Sequence, residues 1–301
     1  MKRRYFSWLA GGTAVSAVSA GSVVGVAADQ VSAGVGPLRV RALTFNLRYA
    51  NTGDTGPKSW ERRRGPSIDL IRREQPDVVG LQEALRSQLD DLHERLGGEY
   101  AEVGVGREDG KERGEYSALL IRRARWTVEE SGTFWLSDTP DEPNSMTWGN
   151  RITRICTWAR LREVGSDRSL HFFNTHFDHE SQPSRERSAA LLAARLAARQ
   201  PAGPFILTGD FNATPENPAM TALTGGALSL VDAWRVANPD VPEAESGTWQ
   251  AFTGRRDTGR IDFVLAPPGT RVVDAAILHD APDGVLPSDH FPVRATLEFV
   301  P

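Results

Sequence analysis

Pro204-Phe205-Ile206-Leu207-Thr208-Gly209-Asp210-Phe211-Asn212 sets the reading of the whole chain. Its opening residues form an apolar run of strand length bounded by Pro and Gly, the pattern of a buried strand. The run delivers Asp210 at its end. Asp210 and Asn212 then alternate about Phe211, so both point to one face while the ring faces the core. A carboxylate beside an amide can take a proton from water and fix that water's orientation. The triplet alone also reads as a turn with Asx hydrogen bonds.

The same design recurs elsewhere. Residues 77–82 form a largely apolar strand that ends in Leu81-Gln82-Glu83. Residues 169–175 lead into Asn174-Thr175-His176, and Pro287-Ser288-Asp289-His290 precedes a closing strand at 291–299. Carboxylate, amide and imidazole groups at the ends of buried strands suit one task, holding a divalent metal and a water against a phosphate ester.

Outward from these points, strand-like and helix-like stretches keep interleaving. Strands are expected at 39–47, 260–266 and 271–278, and helices at 60–74, 87–96 and 184–199. Pro76 stops the first helix and Gly97-Gly98 closes the second. In the centre, 115–122, 127–135, 153–162 and 169–175 read as neighbouring strands, several antiparallel because the intervals are short. The loop 137–151, rich in Pro, Asn, Asp and Trp, is a candidate rim of the site or a plain surface excursion. Two strand-rich halves with peripheral helices predict an α/β fold, a four-layer sandwich of two mixed β-sheets packed face to face with helices outside. No repeat or low-complexity linker divides residues 39–301, so one domain is expected.

The N-terminus is a separate matter. Lys2-Arg3-Arg4 precedes an uncharged run rich in Ala, Gly, Ser and Val that extends to Ala28, with Val26 and Ala28 at the minus-three and minus-one positions of a cut. This reads as a twin-arginine signal peptide over 1–28, followed by a tail at 29–38, and predicts a secreted or cell-envelope protein without a stable membrane anchor. The leader carries three of the 35 basic residues and none of the 39 acidic ones, leaving 32 against 39 and a net charge of −7. That balance makes nucleic acid a less favoured partner than a small phosphorylated substrate. Cys156 stands alone and reads as a small buried hydrophobe. A monomer is expected.

Glu83 at a strand end needs a partner, and a hard cation such as Mg²⁺ or Mn²⁺ supplies one through carboxylate and amide oxygens. For Glu83 alone an arginine partner is the plainer alternative, but Asn46, Asp210 and Asp289 occupy similar positions. Asp262 is a candidate to orient His290, since a catalytic imidazole needs its second nitrogen fixed. His176 and His290 are candidates to stabilise charge on nonbridging phosphate oxygens, whereas His93, His171 and His279 read as structural or exposed. His176-Phe177-Asp178-His179 also offers three ligands for a second ion, Zn²⁺ or Mn²⁺, although strand alternation sets His179 on the other side from His176 and Asp178.

With these residues assembled, the chain resembles the endonuclease/exonuclease/phosphatase superfamily of metal-dependent, deoxyribonuclease I-like phosphoesterases, and within it secreted bacterial members. The matching blocks are TFNLR at 44–48, VGLQE at 79–83, NTHFDH at 174–179, LTGDFNATP at 207–215, GRIDFVL at 259–265 and PSDHFPV at 287–293, in family order. The resemblance implies the two-sheet sandwich and assigns Asn46, Glu83 and Asp289 to the metal, Asp210 to the general base and Asn212 to water or phosphate. It places His176, and His290 oriented by Asp262, at the scissile phosphate. It also suggests Tyr116 as an active-site tyrosine. Asp178 and His179 join the substrate-binding candidates. Arg154, just ahead of the strand ICTWARL, is a candidate anion clamp or an ordinary surface arginine.

The expected activity is hydrolysis of a small organic phosphate or phosphodiester, of sugar, inositol or lipid head-group type, by in-line attack of water. A secreted nuclease is the rival, with Arg122, Arg123, Arg125 and Arg151 as its basic groove. A binding module that keeps the sheets without the chemistry is a further alternative. Phe134-Trp135 and Trp148 are partial candidates for a membrane-facing wedge.

Overall fold

Along β1 (Leu38–Asn46) the two faces bury differently. Leu38, Val40 and Ala42 enter the central core, while Leu43 and Phe45 pack outward with Trp60, Ile68 and Ile71 of α1 (Trp60–Glu74). A strand buried on both faces needs a layer on each side. The computed structural model describes residues 36–300. The expected leader, and the tail up to residue 35, lie outside the described residues.

The remaining elements follow in order as β2 (Val78–Gln82), α2 (Arg86–Leu96), β3 (Tyr100–Val103), β4 (Leu119–Arg122), β5 (Trp126–Trp135), β6 (Ile155–Glu163) and β7 (Ser169–His176). Then come α3 (Gln182–Ala198), β8 (Phe205–Asp210), α4 (Pro218–Thr224), β9 (Val231–Asp232), α5 (Ala233–Ala237), β10 (Asp262–Ala266), β11 (Arg271–Ile277) and β12 (Val293–Phe299). They form two mixed six-stranded sheets, in the orders β11-β12-β1-β2-β4-β3 and β5-β6-β7-β8-β10-β9. The sheets pack face to face with helices around them. Phe205 and Leu207 of β8 pack outward with Leu192 and Leu196 of α3 and Met220 and Leu223 of α4, while Ile206 faces the other sheet.

The layer between the sheets changes character along its length. Near one end it holds Val40, Ala42, Val78, Leu170, Phe172, Ile206 and Val264. Further along the same strand faces stand Thr44 and Asn46, Gly80 and Gln82, Asn174 and His176, Thr208 and Asp210. Each parallel pair, β1 with β2 and β7 with β8, ends level: Asn46 pairs with Gln82, and His176 with Asp210. Antiparallel β10 starts at this same end, Asp262 against Asp210.

Asn174 bridges the sheets there. Its amide donates to the carbonyls of Leu81 (2.8 Å) and Ala118 (3.1 Å), and its oxygen accepts from Gln82 (2.6 Å) and Thr208 (3.1 Å). Gly80 makes room, since a Cβ on it would lie 2.1 Å from Thr208 Oγ1 and 2.4 Å from Asn174 Oδ1.

Three sequence expectations change. The strand expected at 115–122 begins at Leu119, and Tyr116 makes only an isolated bridge to Ala84. This strand also joins the first sheet, between β2 and β3, rather than neighbouring β5. The short connection Arg123-Ala124-Arg125 does not impose pairing, because the chain crosses there from one sheet to the other at the sandwich edge. The aromatic wedge candidates are internal: Phe134, Trp135 and Trp148 are buried, and the Trp135 indole donates to the Arg107 carbonyl at 2.7 Å.

Candidate active site

Strand termini and loops converge at the polar end of the sandwich. β1 supplies Asn46, β7 His176, β8 Asp210 and β10 Asp262; Glu83 follows β2, and Ser288-Asp289-His290 precedes β12. Glu83 and Asn212 both take left-handed backbone angles, φ +60° and +46°, which turn the chain off the strand as soon as the side chain is presented. Asn212 thus reaches the site face from a turn, not by strand alternation.

Asn46 sits at the centre, its amide donating to Asp210 Oδ2 (2.9 Å) and Glu83 Oε1 (3.1 Å). Asp210 Oδ1 accepts the Asn212 backbone N–H at 2.9 Å. The His290 ring is held through Nδ1 by Asp262 Oδ2 at 2.9 Å, and its Nε2 lies 3.8 Å from Asp210 Oδ2. On the other side His176 Nε2 lies 3.4 Å from Asp210 Oδ2 and 3.0 Å from the Asn212 amide nitrogen. That amide also donates to the Phe177 carbonyl, which fixes its orientation and makes His176 Nε2 the acceptor.

Burial, with the charge of Asp262, pushes the Asp210 carboxyl up to about 7, against the opposing pull of His290, Asn212 and Asn46. Burial alone would lower His290, but Asp262 and Asp210 hold it well above the ordinary imidazole range. Burial, Arg154 and Arg107 push His176 well below that range. Asp289 is raised by burial, with Glu83 adding to the shift and His290, Arg48 and Arg63 opposing it.

Ligand atoms of Glu83, Asp210 and His290 lie within 4.8 Å of one another. With Asp289 adding another buried carboxylate, this acidic wall fits a hard divalent cation, which prefers oxygen donors and offsets mutual carboxylate repulsion. Of the residues expected at the metal, Glu83 is in this group, the Asn46 amide contacts all three of its members, and Asp289 stands beside it.

A cavity of about 510 Å³ opens onto this wall. Arg107, Glu115 and Arg154 also line it. Arg107 makes a bidentate bridge to Glu115 through both Nη atoms (2.7 and 2.8 Å). Arg154 is a buried cation, not the surface arginine that was the alternative. Asp178 accepts from Arg154 Nε at 3.4 Å and from the backbone N–H groups of Glu180 and Ser181. His179 contacts Arg154 Nη2 at 2.9 Å and lines the cavity. Asp178 is therefore committed to Arg154 and the start of α3, and no second-metal triad forms from His176, Asp178 and His179 among the described residues.

Tyr116 is not brought to the cavity; its hydroxyl donates to the Lys111 carbonyl at 3.0 Å. The loop 137–151 contributes no lining residue either, because Trp148 is buried and its indole is tied to Asp138 at 2.7 Å. The rim comes instead from Arg48, Tyr49, Ile152, Trp249 and Ile261. Sequence reasoning missed these loop positions, and it missed Arg63. That buried guanidinium leaves α1 and donates to the carbonyls of Leu47 (2.6 Å), Arg48 (3.1 Å) and Pro287 (3.0 Å), binding together the two loops that carry Asn46 and Asp289. Arg48's place two residues after Asn46 in TFNLR, and Ile261's in GRIDFVL, were signals for two of them.

The family model described as "Endonuclease/Exonuclease/phosphatase family" matches residues 43–290. Among solved structures, an endonuclease/exonuclease/phosphatase of Bacteroides vulgatus is 34% identical with a TM-score of 0.81, the alignment covering 87% of this chain and 100% of that one. The mannosyl-6-phosphatase of Bacteroides thetaiotaomicron VPI-5482 is 33% identical with a TM-score of 0.78, covering 86% and 100%. An uncharacterized protein of Acanthamoeba polyphaga mimivirus is 31% identical over 168 residues, 51% of this chain and 59% of that protein. Members of the superfamily are hydrolases and are generally dependent on a divalent metal. The matched span contains the carboxylates, amides and imidazoles of the cavity, and the chain belongs to the endonuclease/exonuclease/phosphatase family.

Proposed function

We propose that this protein hydrolyses a small organic phosphate ester, of the sugar-phosphate type, with Mg²⁺ or Mn²⁺ as cofactor. The observation that carries the reading is the set around Asp210: a carboxyl raised to about 7, flanked by an amide and two imidazoles, on one wall of an open cavity. Glu83, Asp289 and Asn46 would hold the ion, which when bound polarises a phosphoryl oxygen and offsets negative charge.

Asp210 takes the proton as the water oxygen attacks phosphorus, and Asn212 fixes that water. Its raised pKa suits a base working near neutrality. His290, protonated and aligned by Asp262, donates to a nonbridging oxygen as charge builds there. The bond from phosphorus to the ester oxygen breaks, and the leaving alcohol takes a proton from solvent at the cavity mouth. His176, neutral, anchors the Asn212 amide beside the phosphate.

The sugar-phosphate reading is supported by the likeness to the mannosyl-6-phosphatase and by Trp249, an exposed indole at the mouth that offers a flat apolar face to a ring. A nuclease is less well supported. Arg122 lies beside Asp77, at the opposite end of β2 from Glu83, and the guanidinium groups of Arg122, Arg123 and Arg125 bond to the carbonyls of Gln75, Gly97 and Arg39. The test is phosphate release from hexose 6-phosphates, inositol phosphates and p-nitrophenyl phosphate with Mg²⁺, Mn²⁺ or chelator, beside plasmid DNA. Metal-dependent release from a sugar phosphate with intact plasmid is expected. Plasmid nicking without release from small esters would make the protein a nuclease.

A further inference from the structure

Residues 287–289, which lead into His290, belong to no helix or strand, so no ladder fixes Asp289. Their three carbonyls are nonetheless engaged. That of Pro287 accepts from Arg63 Nη1 and Ser67 Oγ, both at 3.0 Å, on the side of α1. Gln250 takes the other two: its side-chain amide donates to the Ser288 carbonyl at 2.7 Å, and its backbone N–H to the Asp289 carbonyl at 2.8 Å. The Ala251 N–H adds a second bond to the Asp289 carbonyl, at 3.1 Å.

Gln250 is 1% exposed and is not among the residues that line the cavity. Its side-chain oxygen accepts the Gly254 N–H at 3.1 Å, which leaves the amide nitrogen facing Ser288. Between Gln250 and Gly254 the chain turns through two left-handed residues, Ala251 (φ +50°) and Phe252 (φ +61°), a backbone that persists only where its surroundings over-determine it. The Ser288 and Asp289 carbonyls belong to the two peptide planes on either side of the Asp289 Cα. Each plane is rigid, so holding both fixes the direction in which the Asp289 side chain leaves the backbone. A small hard cation tolerates little drift in its oxygen ligands. We propose that Gln250 is a positioning residue for the ion: by pinning both planes it aims the Asp289 carboxylate, and so sets metal affinity from outside the cavity. This rests on the reading that Asp289 helps to hold the ion, and extends it to a residue that touches neither ion nor substrate.

The test is calorimetry of Mn²⁺ binding to the metal-free wild type, Gln250→Met, Asp289→Ala and the double variant. Methionine keeps the length of the side chain and removes both of its hydrogen bonds. Gln250→Met should raise the Kd for Mn²⁺ by about 10-fold, the scale for a group that orients a metal ligand, and Asp289→Ala should raise it further. The double variant should bind as Asp289→Ala alone does, because Gln250 then has no carboxylate left to aim. A merely structural contact would instead weaken binding by the same factor whether or not Asp289 is present. That result, or wild-type affinity in Gln250→Met, overturns the proposal alone. Wild-type affinity in Asp289→Ala, or no Mn²⁺ binding in the wild type, overturns the metal reading and the proposal with it. Should Gln250→Met not fold, Gln250→Ala takes its place in the same four-way comparison, with the same outcomes deciding.

Discussion

His176 and His290 stand on either side of one carboxylate oxygen, 3.4 and 3.8 Å from Asp210 Oδ2, and differ in what lies behind them. Behind His290 is Asp262, with Asp289 next to it in the chain; behind His176 are Arg107 and Arg154. Both rings are buried, and burial alone would make both neutral. Neighbouring charge decides: anions keep the proton on His290, and cations help strip it from His176. In the proposed chemistry two identical side chains thereby take different parts, His290 as a charged donor and His176 as a neutral anchor. The neighbouring charges, not the residue type, make the difference.

Removing the carboxylate that both rings share should have the largest effect. Asp210→Asn should lower kcat by about 10³- to 10⁴-fold, the contribution of a positioned general base, with an unchanged circular dichroism spectrum. A loss below about tenfold would exclude Asp210 as the base. Next in size is the bridge beneath both rings. Asn174→Ala strips partners from the carbonyls of Leu81 and Ala118 and from Gln82, and should cost about 3 kcal/mol of stability in urea unfolding. A cost under about 1 kcal/mol would mean that water replaces the amide there.

Smaller again, Asp262→Asn should leave the His290 ring in place but remove its anionic support, with a loss of about 10- to 100-fold in kcat. Nitrogen NMR of the metal-free variant should show His290 losing its second proton at lower pH than in wild type. Smallest is the effect of His176 on stability, measured with chelator present. Its folded-state pKa lies below the unfolded value near 6.5, so the unfolded chain takes up the proton first and stability falls as pH drops below that value. His290 works oppositely, its contribution being complete below about 6.5 and lost as pH rises through its raised folded value. His176→Gln should therefore lessen the loss of stability between about pH 7.5 and 5.5, and an unaltered profile would show that His176 is charged in the folded protein.

Much of this arrangement was legible because the strands announce it. Leu38, Val40 and Ala42 lead to Thr44 and Asn46 on one face, and Ile206 leads to Thr208 and Asp210, so apolar-to-polar runs mark the end of the sandwich that carries the site. What was not legible comes from segments without that periodicity. Arg63 lies in a run of three arginines that reads as a solvated helix face, yet its burial depends on carbonyls from two distant loops. Tyr116 follows Glu115 in a stretch that looks like strand, but a lone bridge turns its hydroxyl to Lys111. Arg48 and Trp249 reach the rim from loops, and no local pattern distinguishes them from other surface residues. The placement of β4 and β5 in separate sheets is likewise a tertiary choice, since a short connection suits a hairpin and an edge crossing equally.

The position of β12 has a consequence for the order of events in synthesis. It lies between β11 and β1, although it follows every other strand among the described residues. A polypeptide leaving the ribosome therefore exposes an unpaired edge of β1 until its last strand emerges, an invitation to wrong partners. Asp289 and His290 arrive just ahead of that strand, so Asp210 and Asp262 wait without their imidazole. A chain stopped before this point lacks both the strand that covers β1 and the imidazole that Asp262 holds, so closure of the sheet and assembly of the cavity wall are one step.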